Sequence, residues 1–227
     1  MPFTHSPVDL GYADLSSITT EKERKYTTPN NTSYPSITTV LSILSKDSIA
    51  KWKARVGEEE ANKISTRASK RGTAVHEAIE KYLNNEDWEL LKEAITPDIL
   101  ESVLNVRGVL DSKIGTIYAQ EAPLYSDHLG VAGRVDCIAE YEGKLSVIDF
   151  KTSRKPKRRN YIESYFCQEA AYAIMWEERT GMPISNLVTI ISVDDMHGAP
   201  GNQVYIEQRD NWVPKLLDTI SLYKSST

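Results

Sequence analysis

The stretch Gly130–Thr152, GVAGRVDCIAEYEGKLSVIDFKT, constrains the fold more than any other part of the chain. Two runs with strand-like alternation flank Glu142-Gly143, the pattern of a β-hairpin closed by a two-residue turn. With that turn, residues facing each other have numbers summing to 285, so Asp136 faces Asp149. Directly opposed Cβ atoms lie roughly 4.5–5.5 Å apart, a separation at which like charges destabilise the pair. A bound cation reverses the sign of that interaction. Lys151, two residues beyond Asp149, projects from the same face. Two carboxylates and an amine on one strand surface suit metal-dependent hydrolysis. A bulge at Gly143 would shift the pairing by one residue. The bland alternative is a surface hairpin with a salt bridge between Lys151 and one aspartate.

The alternation also sorts the apolar residues. Val135, Cys137, Ala139, Ile148 and Phe150 should point away from the charged face and pack in a core. Ile138, Leu145 and Val147 share the charged face, which suits a partly covered sheet with its site at one end.

A chain of 227 residues holds one substantial core. Its composition, 40% apolar and 26% charged, is that of a soluble globular protein. No run approaches the roughly 18 apolar residues of a membrane helix, so no membrane partner is expected. The N-terminal MPFTHSPVDLGYADL lacks a basic, apolar signal pattern, which makes the cytoplasm the default location, that of the host if the chain is phage-encoded. Cys137 and Cys167 are too few for a four-thiolate metal or iron–sulfur site. A disulfide between them is disfavoured in a reducing compartment.

The net charge of −5 does not mark a general polyanion binder. Local charge matters more: KTSRKPKRR, Lys151–Arg159, holds six basic residues and no acidic one. The run either guides a phosphate backbone toward the hairpin or is a solvated loop.

Residues 1–33 read as an arm with few apolar positions, whose order the sequence leaves open. The domain proper is expected over 34–227, with a helical part at 34–114 and a sheet with helices at 115–227. Ser36 and Thr38 offer N-cap oxygens before Val40, Leu41, Ile43 and Leu44. Helices are predicted over Asp47–Arg55, Glu58–Leu83, 97–114, 160–180 and Asn211–Tyr223. In the 97–114 helix, Ile99, Leu100, Val103, Leu104 and Val106 are the core candidates. Gly181, with Pro183 beyond it, should close the 160–180 helix. Strands are predicted near 116–125, 131–141, 144–151, Leu187–Val193 and, as an edge, Val204–Glu207. The order implies an α/β or α+β fold.

On the Glu58–Leu83 helix, His76, Ile79, Glu80 and Leu83 share a face. A lone helical histidine is more often packed or solvated than a ligand. Gly72, one turn earlier, costs about 1 kcal/mol in a helix interior, tolerable where another backbone or a nucleic-acid strand passes closely.

GTAVH (Gly72–His76), GRVD (Gly133–Asp136), DFKT (Asp149–Thr152) and QEAAY (Gln168–Tyr172) occur in the order of motifs in the RecB-like branch of the PD-(D/E)xK nucleases. With PSITTVLS (Pro35–Ser42), the chain most resembles the mitochondrial genome maintenance exonuclease group and its phage and bacterial relatives. The resemblance spans about Tyr34–Val193. It implies a restriction-endonuclease-like core, a mixed sheet flanked by helices, preceded by an N-terminal helical segment.

The resemblance also implies roles. Asp136, Asp149, the backbone carbonyl of Phe150 and His76 would bind one or two Mg2+ or Mn2+ ions. Lys151 would position or activate water and stabilise charge on the phosphate. Gln168 and Tyr172 would line the site and orient Lys151 or a phosphate. Glu121 is either an auxiliary carboxylate or a surface residue. Arg67, Lys70, Arg71 and Gly72 on the helix, Arg134 and Thr152 on the strands, and Arg154, Lys155, Lys157, Arg158 and Arg159 beyond them are the candidate DNA contacts. Tyr161, Tyr165 and Tyr172 share a helical face that fits core packing or a channel lining. Imidazole ligation biases affinity toward manganese.

Two departures stand out: Val135 replaces the proline of the superfamily's name, and Asp149 stands where other members carry glutamate. Both occur in the RecB-like branch. The cysteine quartet of iron–sulfur relatives is missing, so no cluster is expected. The implied activity is a DNA exonuclease acting on single-stranded ends in phage or bacterial DNA processing, recombination or repair. A flap or structure-specific endonuclease would share these residues. A non-catalytic DNA-binding subunit with the same fold is the alternative from another class.

Overall fold

A computed structural model describes residues 2–20, 23–195 and 201–226 of the chain. Strands β1 (Ser16–Thr19), β2 (Arg24–Thr27) and β3 (Ser33–Pro35) form a small antiparallel sheet. Helices α1 (Ile37–Leu41), α2 (Lys46–Val56), α3 (Glu58–Leu83), α4 (Trp88–Ala94) and α5 (Pro97–Lys113) follow. Strands β4 (Ile114–Ser126), β5 (Val131–Tyr141) and β6 (Lys144–Ser153) form an antiparallel meander. Helix α6 (Glu163–Thr180) crosses to β7 (Asn186–Val193), and β8 (Asn202–Gln208) and α7 (Val213–Ser226) close the chain.

The main sheet has the order β4-β5-β6-β7-β8, with β6 and β7 parallel and the other neighbours antiparallel. This is the expected mixed sheet flanked by helices. A parallel strand covered on both faces should be apolar throughout, and all eight residues of β7 are buried. One face packs on α1, α6 and α7, with Ile138, Val147, Phe166, Trp176, Leu187 and Leu216 in the cluster. The other packs on α3 and α5, with Val75, Ile79, Val103, Leu110, Cys137 and Ile148. Gly181, at φ +73, closes α6 as a left-handed cap. Among the described residues, no helix is long and apolar enough to cross a membrane. Both cysteines are free and buried.

The hairpin pairs as the sequence predicts. Tyr141↔Lys144 through Cys137↔Ile148 all sum to 285. Glu142 and Gly143 take φ +50 and +77, the two left-handed residues of a type I′ turn, so no bulge shifts the register. The β5–β6 ladder ends one pair short of Asp136 and Asp149.

Two core assignments differ from expectation. Val135 packs with Ile138 and Val147 rather than with Cys137. The alternation fails because Asp136 belongs to neither ladder of β5, and Glu121, facing it on β4, has φ +46. In α5 the buried stripe runs Ile99, Val103, Val106, Leu110, while Leu104 is 50% exposed and Leu100 half-buried. The 4-3-4 spacing of the buried residues follows the helical repeat and leaves Leu104 on the outer side.

The N-terminal residues lie along β4. Ile117 N–H donates to the Thr4 carbonyl, and the Ile117 carbonyl accepts from Ser6 N–H, both at 2.8 Å. This covers the outer edge of β4. Leu15 and Tyr26 form a separate small core with Tyr125 and Ala132. Helix α2 buries no residue, and α3 up to Lys70 buries only Ala61, so this helical pair stands clear of the sheet.

Candidate active site

A cavity of about 680 Å³ opens where β5 leaves its ladders, between α3, α6 and the small sheet. The early end of the hairpin ladder leaves Phe150 N–H free to donate to Asp136 Oδ2 at 2.8 Å. His76 Nδ1, from α3, lies 3.5 Å from the same oxygen. Glu121 faces Asp136 across β4. His76, Glu121 and Asp136 each offer one ligand atom, all within 4.8 Å of one another. Burial first, then the charges of Asp136 and Glu80, push the Glu121 carboxyl up to about 7. An imidazole with two crowded carboxylates is a donor set that a divalent cation relieves.

Asp149 sits behind this group, 1% exposed. Its Oδ2 is ion-paired with Lys151, and its Oδ1 accepts from Gln168 Nε2 at 3.3 Å. It anchors Lys151 beside the three-residue group. Burial pushes the Asp149 carboxyl up to about 6 against the opposing pull of Lys151. On Lys151 burial acts to lower the pKa, but Asp149 and Asp136 outweigh it and hold the amine protonated. The Lys151 amine also lies 5.1 Å from the centre of the Tyr165 ring.

Tyr172, one turn after Gln168, is buried. Burial and the charges of Asp136 and Asp149 hold its phenol well above the ordinary range. A Cβ at Gly133 would lie 2.8 Å from the Tyr172 ring and 3.3 Å from Ile37 Cγ2. Glycine is thus needed in GRVD to let the α6 tyrosine lie against β5. Gly133→Ala is expected to destabilise the fold by about 1–3 kcal/mol through overpacking. In thermal melts of the single and double variants, adding Tyr172→Ala should cost much less in the Gly133→Ala background than alone. Additive losses would show that the two sites do not touch.

The candidate DNA contacts divide. Arg67 and Lys70 are exposed on α3, and Gly72 lines the cavity with open space where its Cβ would stand. Arg71 is tied to Asp194 by two bonds, of 3.0 and 2.5 Å, and to Ser102. Arg134 binds Asp14 at 2.5 Å and the Glu121 carbonyl. Thr152 lies in β6 opposite Ser192 of β7. Arg154, Lys155, Lys157 and Arg158 are exposed, on a loop pinned by the Tyr205 hydroxyl at the Lys157 carbonyl. Tyr161 precedes α6 and is 74% exposed, off the face of Tyr165 and Tyr172.

Arg159 donates to both oxygens of Glu207, at 2.5 and 2.8 Å, over the rings of Phe166 and Trp212. Burial would raise the Glu207 carboxyl, but hydrogen bonds from Arg159 and Trp212 hold it below its ordinary 4.5. The folded state thus binds that proton more weakly than the unfolded chain. The pair stabilises above about pH 4.5, and its contribution fades as pH falls through the lower folded value. Arg159→Ala is expected to lower the melting temperature by about 2–4 °C at pH 7, with the gap from the parent closing below pH 4. Unchanged melting with weakened DNA binding would instead make Arg159 a substrate contact.

Two features escape a sequence reading. Glu169, fully buried inside QEAAY, accepts a hydrogen bond from Thr189, and burial and the Asp149 charge hold its carboxyl well above the ordinary range. An acid on the apolar face of α6 was the available signal. The small sheet supplies Ser17, Arg24 and Tyr26 to the cavity wall, which a segment poor in apolar residues does not announce.

The chain is 31% identical over 186 residues to Mitochondrial genome maintenance exonuclease 1 of Homo sapiens, covering 76% of this chain and 52% of that protein. It is 31% identical over 134 residues to the same-named protein of Mus musculus, covering 55% and 38%. The chain thus spans about half the length, or less, of these curated relatives. Among solved structures, a candidate exonuclease from Eubacterium rectale superposes with a TM-score of 0.46 at 10% identity, covering 67% of this chain and 64% of that one. The family model of the PD-(D/E)XK nuclease superfamily matches residues 104–221. That match takes in just over half of the chain, from α5 through both motif strands and α6, and the chain belongs to the PD-(D/E)XK nuclease superfamily.

Proposed function

We propose that the chain is a divalent-metal-dependent DNA exonuclease that hydrolyses phosphodiester bonds from single-stranded ends. The carrying observation is the juxtaposition, at one cavity, of His76, Glu121 and Asp136 with the Lys151–Asp149 pair. Membership of a nuclease superfamily and relatives named as exonucleases support the same reading.

His76, Glu121 and Asp136 would hold Mg2+ or Mn2+, with Asp149 and the Phe150 carbonyl extending the oxygen set on the β6 side. Such an ion, when bound, supplies Lewis-acid stabilisation of the phosphate and a water of lowered pKa. The remaining work falls to the side chains. Lys151, held protonated between two aspartates, is a fixed cation for the charge that grows on the phosphate rather than a proton acceptor. Asp149 keeps it in place, and Gln168 keeps Asp149 in place. Tyr172 closes the site from beneath.

The walls support a preference for a free single-stranded end. The cavity is bounded by the small sheet on one side and α3 on the other, and the protruding α2–α3 pair stands nearby. A strand enters such a space more readily by its end than as a duplex.

The test is a gel of purified protein with end-labelled single strands, matched duplex and a closed single-stranded circle, with Mg2+, Mn2+ or EDTA. Metal-dependent shortening of linear strands with the circle intact is the expected result. Cutting of the circle would make the enzyme a structure-specific endonuclease. DNA binding with no cleavage in either metal would make it a non-catalytic subunit.

A further inference from the structure

We infer that Arg24, on the N-terminal sheet, binds a phosphate of the substrate strand, so that this small sheet is part of the substrate site. The inference rests on the nuclease reading above and names a contact within that site.

Arg24 is held by its backbone. Its carbonyl accepts from Ser36 N–H at 2.7 Å, and its own N–H donates to Thr39 Oγ1 at 3.1 Å. The start of α1 thus fixes the point from which the side chain emerges. The guanidinium makes one bond, from Nε to Thr19 Oγ1 at 3.0 Å. Its two terminal nitrogens have no partner among the described residues.

Among the described residues, three strong cations line the cavity: Arg24, Arg134 and Lys151. Arg134 is engaged by Asp14 and the Glu121 carbonyl, and Lys151 by Asp149. Among the described residues, Arg24 alone of the three has no anionic partner. A guanidinium with two free N–H edges matches a phosphate in geometry as well as charge.

The opposite wall carries the other sign. Glu77 and Glu80 of α3 line the cavity across from the sheet. A polyanionic strand with its backbone on that wall would meet two carboxylates besides Glu121 and Asp136. With its backbone on the sheet wall it meets Arg24 and the hydroxyl of Ser17. The asymmetry assigns the phosphates to the sheet side and leaves the bases toward α3, where Gly72 leaves open space.

The experiment measures binding of a labelled single-stranded oligonucleotide across a salt series, in EDTA, to Asp149→Asn protein with and without Arg24→Ala. Loss of one phosphate contact on a single strand flattens the slope of log K against log salt by about 0.7, and this is the expected change. Arg24→Lys, which keeps the charge, should retain most of the slope. In the active background, Arg24→Ala should lower kcat/KM by roughly tenfold, chiefly through KM. Matched melting curves exclude loss of fold, since among the described residues the side chain bonds only to Thr19.

An unchanged slope with kcat/KM within twofold of the parent would overturn the inference. The two readings fail separately. A parent protein that cuts no DNA in Mg2+ or Mn2+ removes the nuclease reading, while the slope in the Asp149→Asn background still reports on Arg24. A parent that cuts, with an unchanged slope, removes the Arg24 contact alone.

Discussion

Replacing Asp149 by asparagine is expected to reduce cleavage of single-stranded DNA by on the order of 10³-fold or more, with DNA binding retained. The size of the effect follows from how many groups meet at this carboxylate. Asp149 is ion-paired with Lys151, accepts from Gln168, and is paired in register with Thr189 of β7. Asparagine preserves the shape and the bond to Gln168 in one amide orientation. It removes the charge that keeps Lys151 protonated and in place, and any oxygen Asp149 lends to the metal. Binding should survive, because no candidate phosphate contact outside the catalytic centre touches Asp149, and one negative charge facing the substrate is gone. The check pairs single-turnover cleavage with a binding titration in EDTA. Cleavage at the parental rate would remove Asp149 from the site. Loss of binding together with melting would show instead that the buried pair is chiefly structural, since stripping one partner from such a pair costs about 3–5 kcal/mol.

Much of this arrangement is legible in the sequence, and its legibility has a physical basis. The hairpin announces itself through period-two alternation and a Glu142-Gly143 turn, both local signals, and the register follows from the turn alone. Helix α6 and its stop at Gly181 are legible for the same reason. What failed was non-local. The sheet of β1–β3 is built from residues such as Ser16, Arg24, Lys25 and Ser33, mostly exposed. Only Leu15 and Tyr26 mark its small core, and their partners Tyr125 and Ala132 lie about a hundred residues away. Helix α4 carries a local signal: Asp87 caps it, accepting from the N–H groups of Glu89 and Leu90. The misplaced Val135 traces to the break at Asp136, where a regular pattern gives way at the site itself. The basic run is legible only as charge. Six positive charges in nine residues suggested phosphate contacts, yet Arg159 is spent on Glu207, and a run of charges carries no sign of which members are already paired.

Glu121→Gln is expected to weaken Mn2+ binding by at least 10–100-fold, the loss typical even of groups one step outside a ligand set, and to make the metal-free protein more stable. The opposite signs are the point. Without metal, Glu121 is a half-buried carboxylate facing Asp136, with Glu80 close enough to raise it further. Its backbone is also held in the left-handed region at φ +46, which costs a non-glycine residue on the order of 1–2 kcal/mol. The Arg134 guanidinium on the Glu121 carbonyl, itself anchored by Asp14, fixes that conformation. The chain thus maintains strain and charge crowding at one residue. A cation shared with His76 and Asp136 would offset the charge crowding and favour this conformation. Glutamine keeps the size and the backbone problem but removes the charge, so the gain in the metal-free state isolates the electrostatic part, about 0.5–2 kcal/mol. Calorimetric titration with Mn2+ reads the first effect, and melting in EDTA reads the second. Unchanged Mn2+ affinity would put Glu121 outside the metal group. Weaker affinity with lower stability in EDTA would mean that the carboxylate braces the strand, and that its place beside His76 and Asp136 serves the fold before the chemistry.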